Sequence, residues 1–93
     1  MTTRQVTLTN RYGLHARPAS KFVTIAHQFH SDVRVSKDGR DVNGKSIMEI
    51  MLLAAEPGSI LEIRAEGPDA EAAVSALTGL VQRNFDEDAA VEG

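Results

Sequence analysis

The spacing of apolar residues changes repeatedly along this chain, and the order of those changes leaves few folds open. Val6 and Leu8 alternate with Gln5, Thr7 and Thr9, so residues 4–9 read as a half-buried strand. Ala19, Phe22, Val23, Ala26 and Phe29 then recur at helical spacing, which predicts an amphipathic helix over residues 16–29. Val33 and Val35 alternate with Arg34 and Ser36 in a second strand. Asp38-Gly39 is a tight-hairpin pair, because glycine tolerates positive φ, and it leads into a short third strand ending near Val42. Residues 46–53 form a short apolar helix stopped before Pro57-Gly58. Leu61, Ile63 and Ala65 alternate with Glu62, Arg64 and Glu66 in a fourth strand, and Ala70, Ala73, Val74, Leu77, Leu80 and Val81 mark a C-terminal helix. The order is β-α-β-β-α-β-α. Each clear strand has one apolar and one polar face, so an antiparallel sheet with one solvated side is expected, its other side covered by helices. The fold class is α+β, a two-layer open-faced β-sandwich.

Ninety-three residues suit one domain with one core. Hydrophobic residues make up 42% of the chain, but the only aromatics are Tyr12, Phe22, Phe29 and Phe85, so that core is mainly aliphatic. It leaves little room for a deep, water-excluded cavity, which favours a surface site. There is no cysteine, which excludes disulfides, thiolate metal sites and cysteine nucleophiles. Met-Thr-Thr-Arg-Gln has no apolar run behind its basic residue, and no apolar stretch approaches the ~20 residues of a membrane span. A cytoplasmic protein without membrane insertion is expected. The net charge of −3 is unevenly placed: without Asp86, Glu87, Asp88 and Glu92, nine acids remain against ten basic residues. Residues 1–85 are therefore expected to be the folded domain and residues 86–93 an acidic, disordered tail.

The stretch Gly13-Leu14-His15-Ala16-Arg17-Pro18-Ala19-Ser20 carries the chemistry. Pro18 suits a first helical turn, where its missing N–H does no harm, and it restricts Arg17. His15 then falls at the helix start, where free backbone N–H groups such as those of Ala16 and Arg17 can receive an anion. The positive helix end disfavours a charged imidazole and so favours a neutral nucleophile. Arg17 adds a permanent charge with forked donors that match a phosphate. Phosphoryl transfer depends mainly on positioning and charge stabilisation, so no further acid or base is required.

This stretch resembles the active-site motif Gly-Leu-His-[Ser/Thr/Ala]-Arg-Pro-Ala of HPr, the histidine-containing phosphocarrier family of the phosphoenolpyruvate-dependent sugar phosphotransferase system. A second motif of that family is matched by Gly44-Lys45-Ser46-Ile47-Met48-Glu49-Ile50-Met51-Leu52-Leu53-Ala54, and the likeness covers roughly residues 1–85. The resemblance implies a four-stranded sheet in the order 1-4-2-3 with three helices on one face. It implies phosphorylation of His15 on Nδ1 by enzyme I, assistance from Arg17, onward transfer to enzyme IIA domains, and regulation at Ser46 by an HPr kinase/phosphorylase in some bacteria. Such a protein is a carrier, not an enzyme, needs no cofactor and acts as a monomer. Relatives often carry a hydroxyl where this chain has Ala16, so one phosphate contact is absent. A regulatory, nitrogen-related branch using the same chemistry is the nearest alternative, and an interaction module controlled through Ser46 is another.

Ser46-Ile47-Met48-Glu49 also fits a capping box, with Ser46 capping the helix and Glu49 reaching back, a structural role compatible with regulation. No single helical face can bury Ile47, Met48, Ile50, Met51, Leu52 and Leu53 together. Ile47, Met48 and Met51 are expected to stay exposed near His15 as a docking patch, where flexible methionine suits several unlike partners. Three further signals point elsewhere. Gly39 to Ser46 formally matches the P-loop pattern Gly-x4-Gly-Lys-Ser, but the hairpin at Asp38-Gly39 and the short chain speak against a nucleotide site. The element order is also that of RNA-recognition folds, yet the third strand lacks aromatic residues and the chain is acidic, so no nucleic acid is expected. His27 and His30 lack a third ligand and suit the end of a helix, so no metal is expected.

Overall fold

The computed structural model describes residues 1–86. Its elements are β1 (Thr2–Thr7), α1 (Ala16–Ala26), β2 (Asp32–Lys37), β3 (Arg40–Asn43), α2 (Ile47–Leu52), β4 (Ile60–Glu66) and α3 (Ala70–Gln82), closed by a 3-10 turn at Asn84–Asp86. The four strands form one antiparallel sheet in the order β1-β4-β2-β3. Register explains its two faces. Val35 lies opposite both Ile63 and Val42, Val33 opposite Ala65, and Val6 opposite Leu61, so one face is continuously apolar. The helices cover it: α3 packs on β1 and β4, α2 touches β3, and α1 lies against α2 and α3.

The other face is polar. Arg34 and Arg64 stand directly opposite each other, a like-charge pair that would repel. Asp41 relieves it: its carboxylate accepts the Ser36 hydroxyl at 2.6 Å and Arg34 Nε at 2.9 Å, and Arg64 Nη2 as well. The Ser36 hydroxyl, and after it the two guanidinium groups, hold the Asp41 carboxyl below its usual range against the opposing effect of partial burial. Asp38 (φ 50°) and Gly39 (φ 82°) turn the β2–β3 hairpin with two left-handed residues. The P-loop-like pattern therefore lies across a hairpin and a strand.

Three boundaries differ from the sequence reading. The first strand begins two residues early and stops at Thr7, because its pairing with β4 runs from Thr2↔Ala65 to Thr7↔Ile60. Leu8 is fully buried, but just past the strand. The first helix ends at Ala26, not residue 29, because the chain tightens into i→i+3 bonds from Gln28 to Ile25 and from Phe29 to Ala26. Phe29 still packs against the core. Third, Phe85 is fully buried in a left-handed turn, its carbonyl accepting Lys21 Nζ at 2.8 Å. Asp86, the first residue of the expected tail, closes that turn by pairing with Arg83 at 2.9 Å. The rest of the expected tail, residues 87–93, lies outside the described residues.

Asp69 precedes α3 but does not cap it with its side chain. It reaches instead across the fold to the turn after α1. One carboxylate oxygen accepts the Ser31 hydroxyl at 2.6 Å and the Ser31 N–H at 2.9 Å, while the other accepts the His30 N–H at 2.9 Å. The Ser31 hydroxyl, then the backbone donor of His30, draw the Asp69 carboxyl down from 3.8 to about 2. A depressed acid stabilises the fold above its ordinary value and loses that contribution as pH falls through its folded value. Asp69→Asn is therefore expected to be less stable than the parent by a gap that is constant above about pH 4. In urea unfolding across pH, that gap should shrink as pH falls towards about 2.

Candidate functional site

The site begins with a loop that the rest of the chain clamps. Just after β1, the Leu8 N–H donates to the Ser59 carbonyl and the Gly58 N–H donates to the Leu8 carbonyl, both at 2.8 Å. Asn10 is buried, and its Nδ2 donates to the Gly13 carbonyl at 2.8 Å. Gly13 adopts φ +72°, and a Cβ placed there would lie 2.2 Å from the Ala55 carbonyl oxygen. Only glycine meets both demands, a left-handed backbone and a close backbone crossing. The next residue, buried Leu14, completes the crossing by donating its N–H to the same Ala55 oxygen at 3.0 Å.

His15 follows as the N-cap of α1, with extended backbone (φ −79°, ψ −175°) and no side-chain capping bond. Its carbonyl accepts the Ala19 N–H at 3.0 Å, the first turn's backbone bond. Caps are usually serine, threonine, aspartate or asparagine, whose oxygens satisfy first-turn donors. A histidine there leaves the N–H groups of Ala16 and Arg17 without an intrahelical acceptor. Pro18, buried in the same turn, contributes no donor at all. Ala16 and Arg17 are exposed and His15 is half-buried, its Nε2 shut off from solvent. The imidazole meets the Tyr12 ring edge-to-face, with centroids 5.9 Å apart and planes at 81°. Sequence reading missed Tyr12 and Asn10. An aromatic residue in a short polar loop was the available signal for the first, whereas the buried amide of the second depends on tertiary contacts.

Ser46 caps α2, its Oγ accepting the Glu49 N–H at 3.2 Å. The expected capping box is only half formed. The Ser46 N–H is already taken by the Asn43 carbonyl at 3.2 Å, and the Glu49 carboxylate instead accepts the Asn43 N–H at 2.9 Å. Ser46 does not join His15. Lys45, beside it, donates Nζ to the Phe29 carbonyl at 2.8 Å, and its own carbonyl lies 3.0 Å from His27 Nε2. A carbonyl only accepts, so that ring nitrogen carries the proton. These contacts fasten the start of α2 to the far end of α1, while Ala55, just past α2, meets the loop before His15. With 11 residues in α1, the two cap positions are about one helix length, ~16 Å, apart.

Between them α2 buries Ile50 and leaves Ile47, Met48 and Met51 exposed, together with Leu52, which sequence reading did not single out. Met51 and Leu52 lie towards the His15 end, and Ile47 and Met48 towards Ser46. Among the described residues no group of three or more histidine, cysteine or acidic side chains could hold a metal ion. No helix among them is long and apolar enough to cross a membrane.

Both the sequence and the open-faced α+β sandwich have counterparts among known proteins. Residues 2–83 match the family PTS-HPr, described as the PTS HPr component phosphorylation site. The phosphocarrier protein HPr of Xylella fastidiosa is 43% identical over 88 residues, covering 95% of this chain and 99% of its own. The crystal structure of HPr from Thermoanaerobacter tengcongensis superposes with a TM-score of 0.91 at 43% identity, over 95% of this chain and 99% of the other. Crh of Bacillus subtilis, described as a swapped dimer, is 42% identical with a TM-score of 0.73, covering 90% of this chain and 97% of its own. The chain belongs to the HPr phosphocarrier family.

The crossing at Gly13 gives a direct test of how the site is built. Gly13→Ala forces the new methyl into the Ala55 carbonyl and is expected to destabilise the fold by about 1–3 kcal/mol. Denaturant unfolding would measure this, and amide shifts should be concentrated at Leu14 to Arg17.

Proposed function

We propose that this chain accepts a phosphoryl group on Nδ1 of His15 from phosphorylated enzyme I, the group originating in phosphoenolpyruvate, and passes it to enzyme IIA domains for sugar uptake. The observation that carries this reading is a histidine at a helix N-cap with no side-chain capping bond, with Arg17 in the first turn. In the transfer, the lone pair of Nδ1 forms the new N–P bond while the donor's bond to phosphorus breaks and returns its electron pair to the donor. Nε2 keeps its proton throughout. The seclusion of Nε2 from solvent supports Nδ1 as the reacting nitrogen. The Ala16 and Arg17 amides and the Arg17 guanidinium stabilise the three phosphoryl oxygens, at a helix end whose dipole favours an anion. The chain is itself the phosphorylated product and returns to its starting state on donation, so it serves as a carrier, acting as a single chain in the cytoplasm.

Ser46 is proposed as a regulatory phosphorylation site for an HPr kinase/phosphorylase. A phosphate there would sit at the start of α2, far from the imidazole but beside exposed Ile47 and Met48, which we take with Met51 as the docking patch. Its effect would be to repel an acidic partner rather than to disturb the chemistry.

With enzyme I and phosphoenolpyruvate, the parent is expected to gain one acid-labile, alkali-stable mark and His15→Ala none. Arg17→Met should be phosphorylated about 100-fold more slowly, the usual scale for losing one charge-stabilising donor. Phosphorylation of His15→Ala, or at serine instead of histidine in the parent, would refute the carrier reading. Ser46→Asp should raise the KM for enzyme I with little change in the maximal rate. An unchanged KM would remove the regulatory role.

A further inference from the structure

We propose that Tyr12 is a positioning residue that fixes the pose of the His15 imidazole for phosphoryl transfer, an inference that rests on the reading of His15 as acceptor. Tyr12 is 60% exposed, so burial in the core does not account for where its ring lies. The backbone does. Asn10 and Gly13 close the turn around it, and the Gly13 backbone packs directly against the Ala55 carbonyl. The ring is thereby held at the surface and set edge-to-face against the imidazole at 5.9 Å. The Arg11 guanidinium carbon stands 5.7 Å from the Tyr12 ring centre, within cation–π range. Tyr12 thus contacts both Arg11 and His15.

The Tyr12 contact meets a need that the cap geometry creates. A serine or aspartate at an N-cap has its side chain fixed by the capping bond, whereas His15 makes no such bond and its two side-chain torsions must be restrained by what surrounds the ring. For transfer, one ring nitrogen must face the Ala16 and Arg17 amides, and each alternative pose subtracts from the reactive population. An aromatic edge-to-face contact of this kind is worth about a factor of two to ten in that population. The contact with His15 is made by the aromatic ring, so the ring alone should suffice.

The test uses phosphoramidate, a small donor that needs no docking surface. Nδ1 attacks its phosphorus, the phosphorus–nitrogen bond breaks, and the departing nitrogen leaves as ammonia after taking a proton from water. In the full chain, Tyr12→Ala is expected to slow labelling of His15 about threefold to tenfold, and Tyr12→Phe to stay within about twofold of the parent. The His15 ring-proton shifts in NMR should move in Tyr12→Ala, as the neighbouring ring current is lost, and hold in Tyr12→Phe. Labelling of Tyr12→Ala at the parental rate, or an equal loss in Tyr12→Phe, overturns the proposal. If the parent itself is not labelled at His15, the carrier reading fails. The ring-proton shifts then decide separately whether Tyr12 orients the imidazole, and unchanged shifts in Tyr12→Ala would refute that too.

Discussion

Everything at the site depends on one backbone crossing, where the turn before α1 passes over the segment that follows α2. Gly13 permits it by lacking a side chain, and Leu14 secures it through its N–H bond to Ala55. Displacing the turn by even one methyl group would move the N-cap, and with it the imidazole, relative to the amides of Ala16 and Arg17. The crossing also sets the direction of α2. With Ala55 held at the His15 end and Lys45 held at the other by Phe29 and His27, α2 runs back alongside α1.

That antiparallel pair separates the two helix starts proposed as phosphorylation sites. His15 and Ser46 share a physical setting, a helix N-terminus that favours negative charge, but they sit at opposite ends of the same helix pair. Direct electrostatic influence of one on the other is weakened at about 16 Å, roughly two Debye lengths at physiological salt. The exposed apolar side chains of α2 span the interval, which is why the proposed effect of Ser46 falls on partner binding. The half-formed capping box is consistent with that division. Ser46 Oγ is engaged by a single N–H, while Glu49 is occupied with Asn43.

Much of this was legible in the sequence, for reasons particular to each element. Alternation in Leu61, Ile63 and Ala65 locates the central strand because both its neighbours pack on the same apolar face. The Asp38-Gly39 pair fixes its hairpin through backbone sterics alone. His15 at a helix start follows from Pro18, which restricts where the helix can begin. Strand order came from the family resemblance, since nothing in periodicity decides which strands are neighbours. Phe85, Asn10 and Tyr12 escaped notice because their roles arise from contacts distant in sequence or from a turn shape. The bond from Lys21 to Phe85 spans 64 residues, and no local pattern announces it. The end of α1 was misplaced because Phe29 keeps helical spacing although the backbone has already tightened.

The carrier role depends on where the phosphoryl group rests and what holds it. Amide NMR of the phosphorylated and unphosphorylated chain, with phosphorus-to-proton coupling to identify the modified ring nitrogen, answers both at once. A phosphoryl group on Nδ1 of His15 is expected, with the Ala16 and Arg17 amide protons moving downfield as they take up its oxygens. A phosphoryl group on another residue, or on His15 with those two amides unmoved, would contradict it.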